Sequence, residues 1–311
     1  MGKVLVTGVA GFIGSSVLEK LLENGHTVVG IDSFDETLNQ SKLRRNFIAQ
    51  LQNQKFTFLE GNLLAMPLET LVGDLDFVIH LAATPGLIPS WSKFDKYLEN
   101  NVLGTFRLAK ALSSKNTDCK VIHASTSSVY GINAVGDEDI PKDPVSPYGI
   151  SKYSAEQIWH SFFPIETNAV AILRYFSVYG PRQREDMAWQ KFIRCILQEG
   201  EIELTKSSEH TRSFTYIEDV ANFTASLVGG LHRAGIYNIA GEEEINILAG
   251  VELIGNILGR KVKIRHVEKR PGDQIKTKGD ITKAKTILGY NPKTSFEVGI
   301  SKQIQNIVNS K

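Results

Sequence analysis

Only two of the 311 residues are cysteine, and the formal net charge is just +1. Cys119 and Cys195 stand far apart in the chain, and neither has a second cysteine or a paired histidine at ligand spacing. That argues against a disulfide scaffold and against a zinc site, and leaves two thiols suited to a reducing cytoplasm. Thirty-five Lys and Arg against 34 Asp and Glu offer no basic face for a phosphate backbone, so nucleic acid is not an expected partner. No apolar run reaches the roughly 18 to 20 residues that span a bilayer. Ordered structure is expected from residue 3, which leaves no room for a signal peptide, and Val6 stands where an N-myristoylation motif needs Ser or Thr. The expectation is a soluble, cytoplasmic protein that makes no use of a membrane.

What is present is ordinary in amount and specific in arrangement. Hydrophobic residues at 42% and charged residues at 22% are globular values, so disorder is excluded as the main state. The length suits about two domains. Residues 3–6 form a short apolar run, 8–14 are punctuated by glycine, 15–24 place Val17, Leu18, Leu21 and Leu22 at helical spacing, and 27–31 are apolar again. That is a βαβ unit. Further buried strands are expected at 56–59, 77–80, 121–124 and 169–175, with amphipathic helices at 102–113 and 151–162 between them. Strands separated by helices give an α/β fold with a doubly wound (Rossmann) parallel sheet. The expected division is a dinucleotide-binding domain over 1–175 and a smaller, mainly substrate-binding C-terminal domain over 176–311. Within 214–240, residues 214–220 and 235–240 are candidates to return to the sheet.

The turn from Gly8 through Gly11, Phe12 and Ile13 to Gly14 follows the first strand and opens the first helix. Its glycines allow a tight turn and a close approach to a pyrophosphate, and the helix N-terminus supplies free N–H groups. A glycine-rich structural turn would look the same by itself. Asp32 ends the second strand, where a carboxylate can accept from adenosine ribose hydroxyls and would repel a 2'-phosphate, so NAD is expected rather than NADP.

Tyr148 and Lys152 sit four apart at a helix start and therefore share one face. An ammonium beside a phenol favours phenolate, and an oxidised nicotinamide adds a second positive charge, so a phenol with an ordinary pKa of about 10 is expected to become a base near neutrality. Upstream, residues 124–131 set a row of hydroxyls at a strand's carboxyl end, where ligands bind in such sheets.

Together these motifs resemble the extended short-chain dehydrogenase/reductase family, and within it the nucleotide-sugar 4-epimerases. The resemblance implies Thr126, Tyr148 and Lys152 as the catalytic set. For NAD it implies Gly8, Gly11, Phe12, Ile13, Gly14 and Asp32, Asn62 and Leu63 near adenine, Leu81, Ala82 and Ala83 along the pyrophosphate, Asn101, and Tyr175 beside the nicotinamide, with Tyr148 and Lys152. Residues 180–188 are similar to the G-P-R-Q-R-P-D-M-A segment of UDP-glucuronate 4-epimerases, with Glu185 for Pro. On the sugar-nucleotide side the implied residues are Ser127, Ser128, Ser177, Arg184, Met187, Arg212, Arg270 and Asp273. A homodimer is also implied.

Ser127 and Ser128 stand where 4,6-dehydratases carry an acidic pair, and Ser128 where decarboxylases carry Glu, which disfavours both chemistries. Ile88 replaces an arginine expected near the sugar. That loss weighs against a C6 carboxylate, but Ser127, Ser128 and Ser177 can still hydrogen-bond one, so UDP-glucuronate, converted to UDP-galacturonate, leads as substrate, with a neutral UDP-hexose or UDP-N-acetylhexosamine close behind. The reading from another class is a non-catalytic NAD-binding protein.

Overall fold

A computed structural model of the chain describes residues 1–34, 47–115, 118–205, 211–230, 232–268 and 274–309. Seven runs rich in Val, Ile and Leu become strands: β1 Lys3–Thr7, β2 Thr27–Asp32, β3 Phe56–Glu60, β4 Phe77–His80, β5 Lys120–Thr126, β6 Val170–Tyr175 and β7 Gly235–Ile239. They pair in parallel in the order β7-β6-β5-β4-β1-β2-β3. Alternation along β1 shows why the sheet needs two covers. Val4 and Val6 join one core with Val17, Leu18 and Val220, while Leu5 joins a second with Leu108, Leu112 and Trp159. Helices α1 Phe12–Glu23, α2 Gly104–Ser114, α3 Pro147–Phe162 and α4 Ile217–Ser226 supply those covers, α1 with α4 on one face and α2 with α3 on the other. A parallel sheet buried on both faces is the doubly wound architecture expected from the sequence.

Two boundaries differ from expectation. Helix α3 starts at Pro147 rather than 151, because Ser146 caps it by accepting from the Gly149 N–H at 3.1 Å and Pro147 suits the first turn. Tyr148 therefore lies in the first turn of the helix. Residues 214–220 do not return to the main sheet: Thr215–Tyr216 pairs with Val178–Tyr179 in a separate ladder, and Ile217, Val220, Ala221 and Thr224 bury a helical face as α4. Residues 235–239 do join it, as the edge strand beside β6.

A four-stranded sheet of Glu244–Asn246, Thr211–Ser213, Lys276–Gly279 and Asn133–Gly136 draws one strand from the N-terminal half. It sits with the helices Ala188–Leu197, Ile247–Leu258, Thr282–Leu288 and Phe296–Asn309. Among the described residues no helix is long and apolar enough to cross a membrane.

Candidate active site

Strand order reverses between β1 and β4, and in open parallel sheets ligands bind outside the carboxyl ends of the strands at such a switch point. Gly8 turns the chain with φ +73°, and a Cβ on it would lie 2.7 Å from the Ala82 nitrogen. A Cβ on Gly14 would lie 2.0 Å from the Gly8 carbonyl oxygen. Both glycines are needed for the close packing of the turn on itself and on the chain after β4. Gly11 begins α1 without a capping side chain, leaving the first N–H groups, at Phe12, Ile13 and Gly14, without helical partners.

Asp32 braces this turn from the next strand. Its Oδ2 accepts from the Ala10 N–H at 3.0 Å and its Oδ1 from the Phe34 N–H at 3.1 Å. Burial raises its pKa, against the backbone N–H groups of Phe34, Ala10 and Ser33. Asn62 is exposed and accepts from the Leu64 N–H at 2.8 Å, whereas the Leu63 side chain is buried in the core. Leu63 can therefore meet an adenine through its backbone alone.

Beneath Leu81, Ala82 and Ala83 runs a closed chain of hydrogen bonds. The Ala82 N–H donates to Thr7 Oγ1 at 3.2 Å, and that hydroxyl donates to His80 Nδ1 at 2.7 Å. Thr105 Oγ1 donates to the Asn101 carbonyl at 2.6 Å, so it accepts from His80 Nε2 at 3.0 Å. His80 is thus neutral with its proton on Nε2; burial and the Lys152 charge pull its pKa down to about 3. Asn101 lies in a π-helical turn, Leu98–Leu103, that leads into α2. Its amide accepts from the Thr84 N–H at 2.7 Å and donates to the Thr84 carbonyl and Ser151 Oγ. With its side chain so engaged and 1% exposed, Asn101 braces the β4 loop against α3.

Thr126 ends β5 and Tyr148 opens α3 close enough for the threonine to lower the pKa of the phenol, while the Thr126 hydroxyl donates to Ser128 Oγ at 3.3 Å. The Tyr97 ring stands edge-on to Tyr148 at 6.2 Å and donates its hydroxyl to the carbonyls of Pro85 and Gly86. Lys152 lies one turn further along α3 and is 4% exposed. The protein's own groups set the background on which the nicotinamide charge is expected to act. Burial raises the Tyr148 pKa, opposed by Thr126 and the charge of Arg184. Burial also lowers the Lys152 pKa to about 8, with Glu156 opposing the fall. Both partners are desolvated, so the ammonium alone does not make a phenolate here.

Arg184, implied on the sugar side by resemblance, acts on the tyrosine as well. Nothing in the spacing of 180–188 ties it to Tyr148, yet its charge reaches both Tyr148 and Tyr97. Its Nε and Nη2 donate to Asp186 Oδ1 and Oδ2, each at 2.9 Å. Arg182, with φ +68°, grips Glu19 and Ser16 on α1 and so anchors the 180–187 loop. Met187 stands at the start of the helix Ala188–Leu197. Ile88, where an arginine was expected, is 49% exposed.

Ser127 and Ser128 are buried, and the Ser128 N–H donates to Thr126 Oγ1 at 3.2 Å. Gln274, which sequence reading missed, donates to the Ser127 and Gly131 carbonyls at 3.1 and 2.9 Å, and its own carbonyl accepts from Arg212 Nη2 at 2.6 Å. It links Arg212 to the serine end of β5. Tyr175 is in register with Thr126, but its hydroxyl pairs with Thr224 at 2.9 Å on the α4 face, so its phenol points away from Tyr148. Ser177 follows it and accepts the Thr215 N–H at its carbonyl. Arg270 and Asp273 lie outside the described residues. Among the described residues no group of three or more His, Cys, Asp or Glu could hold a metal.

The sequence profile of the GDP-mannose 4,6 dehydratase family matches residues 5–303. The chain belongs to that family. It is therefore an extended short-chain dehydrogenase/reductase, as the motifs imply. A UDP-glucuronic acid 4-epimerase from Bacillus cereus, solved in complex with UDP-glucuronic acid and NAD, has a similar structure, with a TM-score of 0.93 and 37% identity over 99% of this chain and 100% of that one. A UDP-glucuronate 4-epimerase of Thermodesulfobacterium geofontis is 34% identical over 98% of this chain and 95% of its own length. An uncharacterized UDP-glucose epimerase of Bacillus subtilis is 38% identical over 97% of this chain and 96% of its own.

Proposed function

We propose that this protein is an NAD-dependent epimerase that inverts C4 of a UDP-sugar through a transient 4-keto sugar, and that UDP-glucuronate, converted to UDP-galacturonate, is the substrate it suits best. One observation carries the reading: β5 ends at Thr126 and α3 opens with Tyr148 and the buried Lys152, in the same parallel sheet whose first strand leads into the glycine turn. The relatives named above support it.

The glycine turn and its bracing suit NAD. Gly8, Gly11, Phe12, Ile13 and Gly14 would hold the pyrophosphate, with Leu81, Ala82 and Ala83 opposite. Asp32 would take the adenosine ribose, Asn62 and the Leu63 backbone the adenine, and Tyr148 and Lys152 the nicotinamide end. Bound there, NAD supplies a hydride acceptor for C4, and its oxidised ring the positive charge that burial of Tyr148 demands. Tyr148 takes the proton of the C4 hydroxyl and gives it back after the sugar has turned. Thr126 holds that hydroxyl in line, and Lys152 keeps positive charge beneath it. Arg212, Arg270 and Asp273 take the diphosphate, so the sugar itself is free to rotate. Arg184, Ser127, Ser128, Ser177 and Met187 border it. For a uronate, Arg184 and the hydroxyls also keep the carboxylate of the β-keto acid solvated by fixed dipoles, which opposes loss of carbon dioxide.

The neutral-hexose reading keeps two observations of its own: Ile88 is apolar, and Arg184 already has a partner in Asp186. Dehydratase and decarboxylase readings are weakened by Ser127 and Ser128, which provide no acid. The non-catalytic reading is weakened by the assembled Thr126, Tyr148 and Lys152. Residues 1–175 with 235–239 form the NAD-binding part and most of 176–311 the substrate part in this proposal. A homodimer, with Leu103, Phe106 and Ile150 exposed on the α2 and α3 side, and residence in the cytoplasm, where both cysteines stay free, complete it.

The test is NMR of products from UDP-glucuronate, UDP-glucose and UDP-N-acetylglucosamine. UDP-galacturonate is the expected main product. Tyr148→Phe should lower turnover by about a hundred- to ten-thousand-fold with NAD content retained. A dehydrated or decarboxylated main product, or a Tyr148→Phe protein with full turnover, would overturn the proposal.

A further inference from the structure

Lys152 is a buried amine among uncharged neighbours. His80 faces it from β4 and His123 from β5, and Lys152 depresses the protonation of both. Tyr148 precedes it on α3, with Tyr97 beyond. One anion opposes the burial: Glu156, a further turn along α3 and completely buried. Tyr148, Lys152 and Glu156 therefore form a column at i, i+4 and i+8 on one face of the helix.

Glu156 is held with little freedom. Its Oε1 accepts from Arg174 Nε at 3.0 Å and its Oε2 from Arg174 Nη2 at 2.7 Å, while the Ser125 hydroxyl also donates to Oε1. Arg174, 1% exposed, is itself fixed by Tyr130, whose hydroxyl accepts from Nη1 at 2.9 Å and donates to Asn238 Oδ1 at 2.6 Å. A buried ion pair of this kind is a poor way to gain stability, since apolar residues of similar shape serve as well or better. Its placement behind Lys152 gives it another use.

We infer that Glu156, locked by Arg174 and Ser125, is a positioning residue that keeps Lys152 in its ammonium form beneath the reacting tyrosine. Glu156 touches neither sugar nor cofactor and acts through Lys152, whose charge is marginal because burial holds its pKa at about 8. The inference rests on the role given to Lys152 above, and goes beyond it by naming what sets that residue's charge.

Carbon-13 NMR of lysine side chains in the purified protein tests it, with the Lys152 resonance assigned as the one missing from Lys152→Met. In Glu156→Gln, which keeps shape and an acceptor for Arg174, the Lys152 midpoint should fall by about one pH unit, and the alkaline limb of the kcat–pH profile should move down with it. Because Glu156→Gln leaves a buried guanidinium without its anion and can fail to fold, Glu156→Gln/Arg174→Gln supplies the same readout with both charges removed. The midpoint is expected to fall there too. An unchanged midpoint in the folded variant, with activity lost evenly at every pH, would mean that Glu156 is structural and overturns the inference. A Lys152→Met protein with wild-type turnover would instead overturn the role of Lys152 itself, so the two failures are distinguishable.

Discussion

The two sides of the candidate site are built differently. On the cofactor side every turn is tied to another: Ala10 to Asp32, Ala82 to Thr7, Thr84 to Asn101. On the sugar side Arg184 pairs with Asp186 two residues away, and the Asp186 side chain is 58% exposed. The sugar side has long-range ties of its own, Arg182 to Glu19 and Gln274 to Ser127, yet Arg184 itself is paired locally, and such a difference suits a reaction that keeps one partner still while the other turns over. An epimerase must release the 4-keto sugar enough to rotate and must not release the dinucleotide.

The strongest way to break this contrast is to spoil the rigid side. Gly14→Ala puts a methyl 2.0 Å from the Gly8 carbonyl oxygen, and Gly8 is backbone that hydrogen bonds to Gly11 and Ile31 fix. A loss of about 3 kcal/mol is expected from such overpacking, together with loss of bound NAD. Denaturant unfolding and the absorbance of extracted nicotinamide measure the two. Normal NAD content in a Gly14→Ala protein would show that the turn is not the pyrophosphate site.

A second variant separates stability from function at the junction of the two sides. Lys152 is held at about 8 against its ordinary 10.5, so between those pH values the unfolded chain binds more protons than the folded one. Stability contributed by this group therefore rises with pH through that window and is lowest below about 8. Lys152→Met removes the cost of burying the ammonium, and the protein should gain on the order of 3 kcal/mol at pH 7 while its turnover falls. The gain should fade as the pH approaches 10. Chemical denaturation at several pH values checks it, and a variant less stable than wild type at pH 7 would contradict the burial argument.

Legibility in the sequence follows the same division. The cofactor side was readable because its requirements are local: glycines at 8, 11 and 14, an acid at the end of β2, and apolar strands expected at 56–59, 77–80 and 169–175 each follow from a short window. The pair Tyr148 and Lys152 was readable for the same reason. Tyr97, Arg184 and Gln274 reach Tyr148 or Ser127 from distant parts of the chain, and no spacing encodes that. Glu156 could have been found, since it repeats the four-residue step from Lys152. The sign of the Tyr148 shift was beyond reach, because desolvation depends on packing that a motif does not describe. Residues 214–220 misled because Thr215, Tyr216 and Ile217 favour strands while Val220, Ala221 and Thr224 complete a helical face.

The gentlest prediction sharpens the comparison at its open side. Asp186 occupies the Nε–Nη2 edge of Arg184, which leaves the Nη1–Nη2 edge for a sugar carboxylate. If the sugar is a uronate, its carboxylate and Asp186 share one guanidinium and repel each other as like charges. A partly exposed pair of this kind is worth about 0.2–1 kcal/mol. Asp186→Asn should accordingly change stability by less than about 1 kcal/mol and lower KM for UDP-glucuronate by at most about fivefold, leaving KM for UDP-glucose unchanged. Steady-state kinetics on both substrates decides it. Equal changes for the two would place Arg184 away from C6 and favour the neutral sugar, in line with the apolar Ile88.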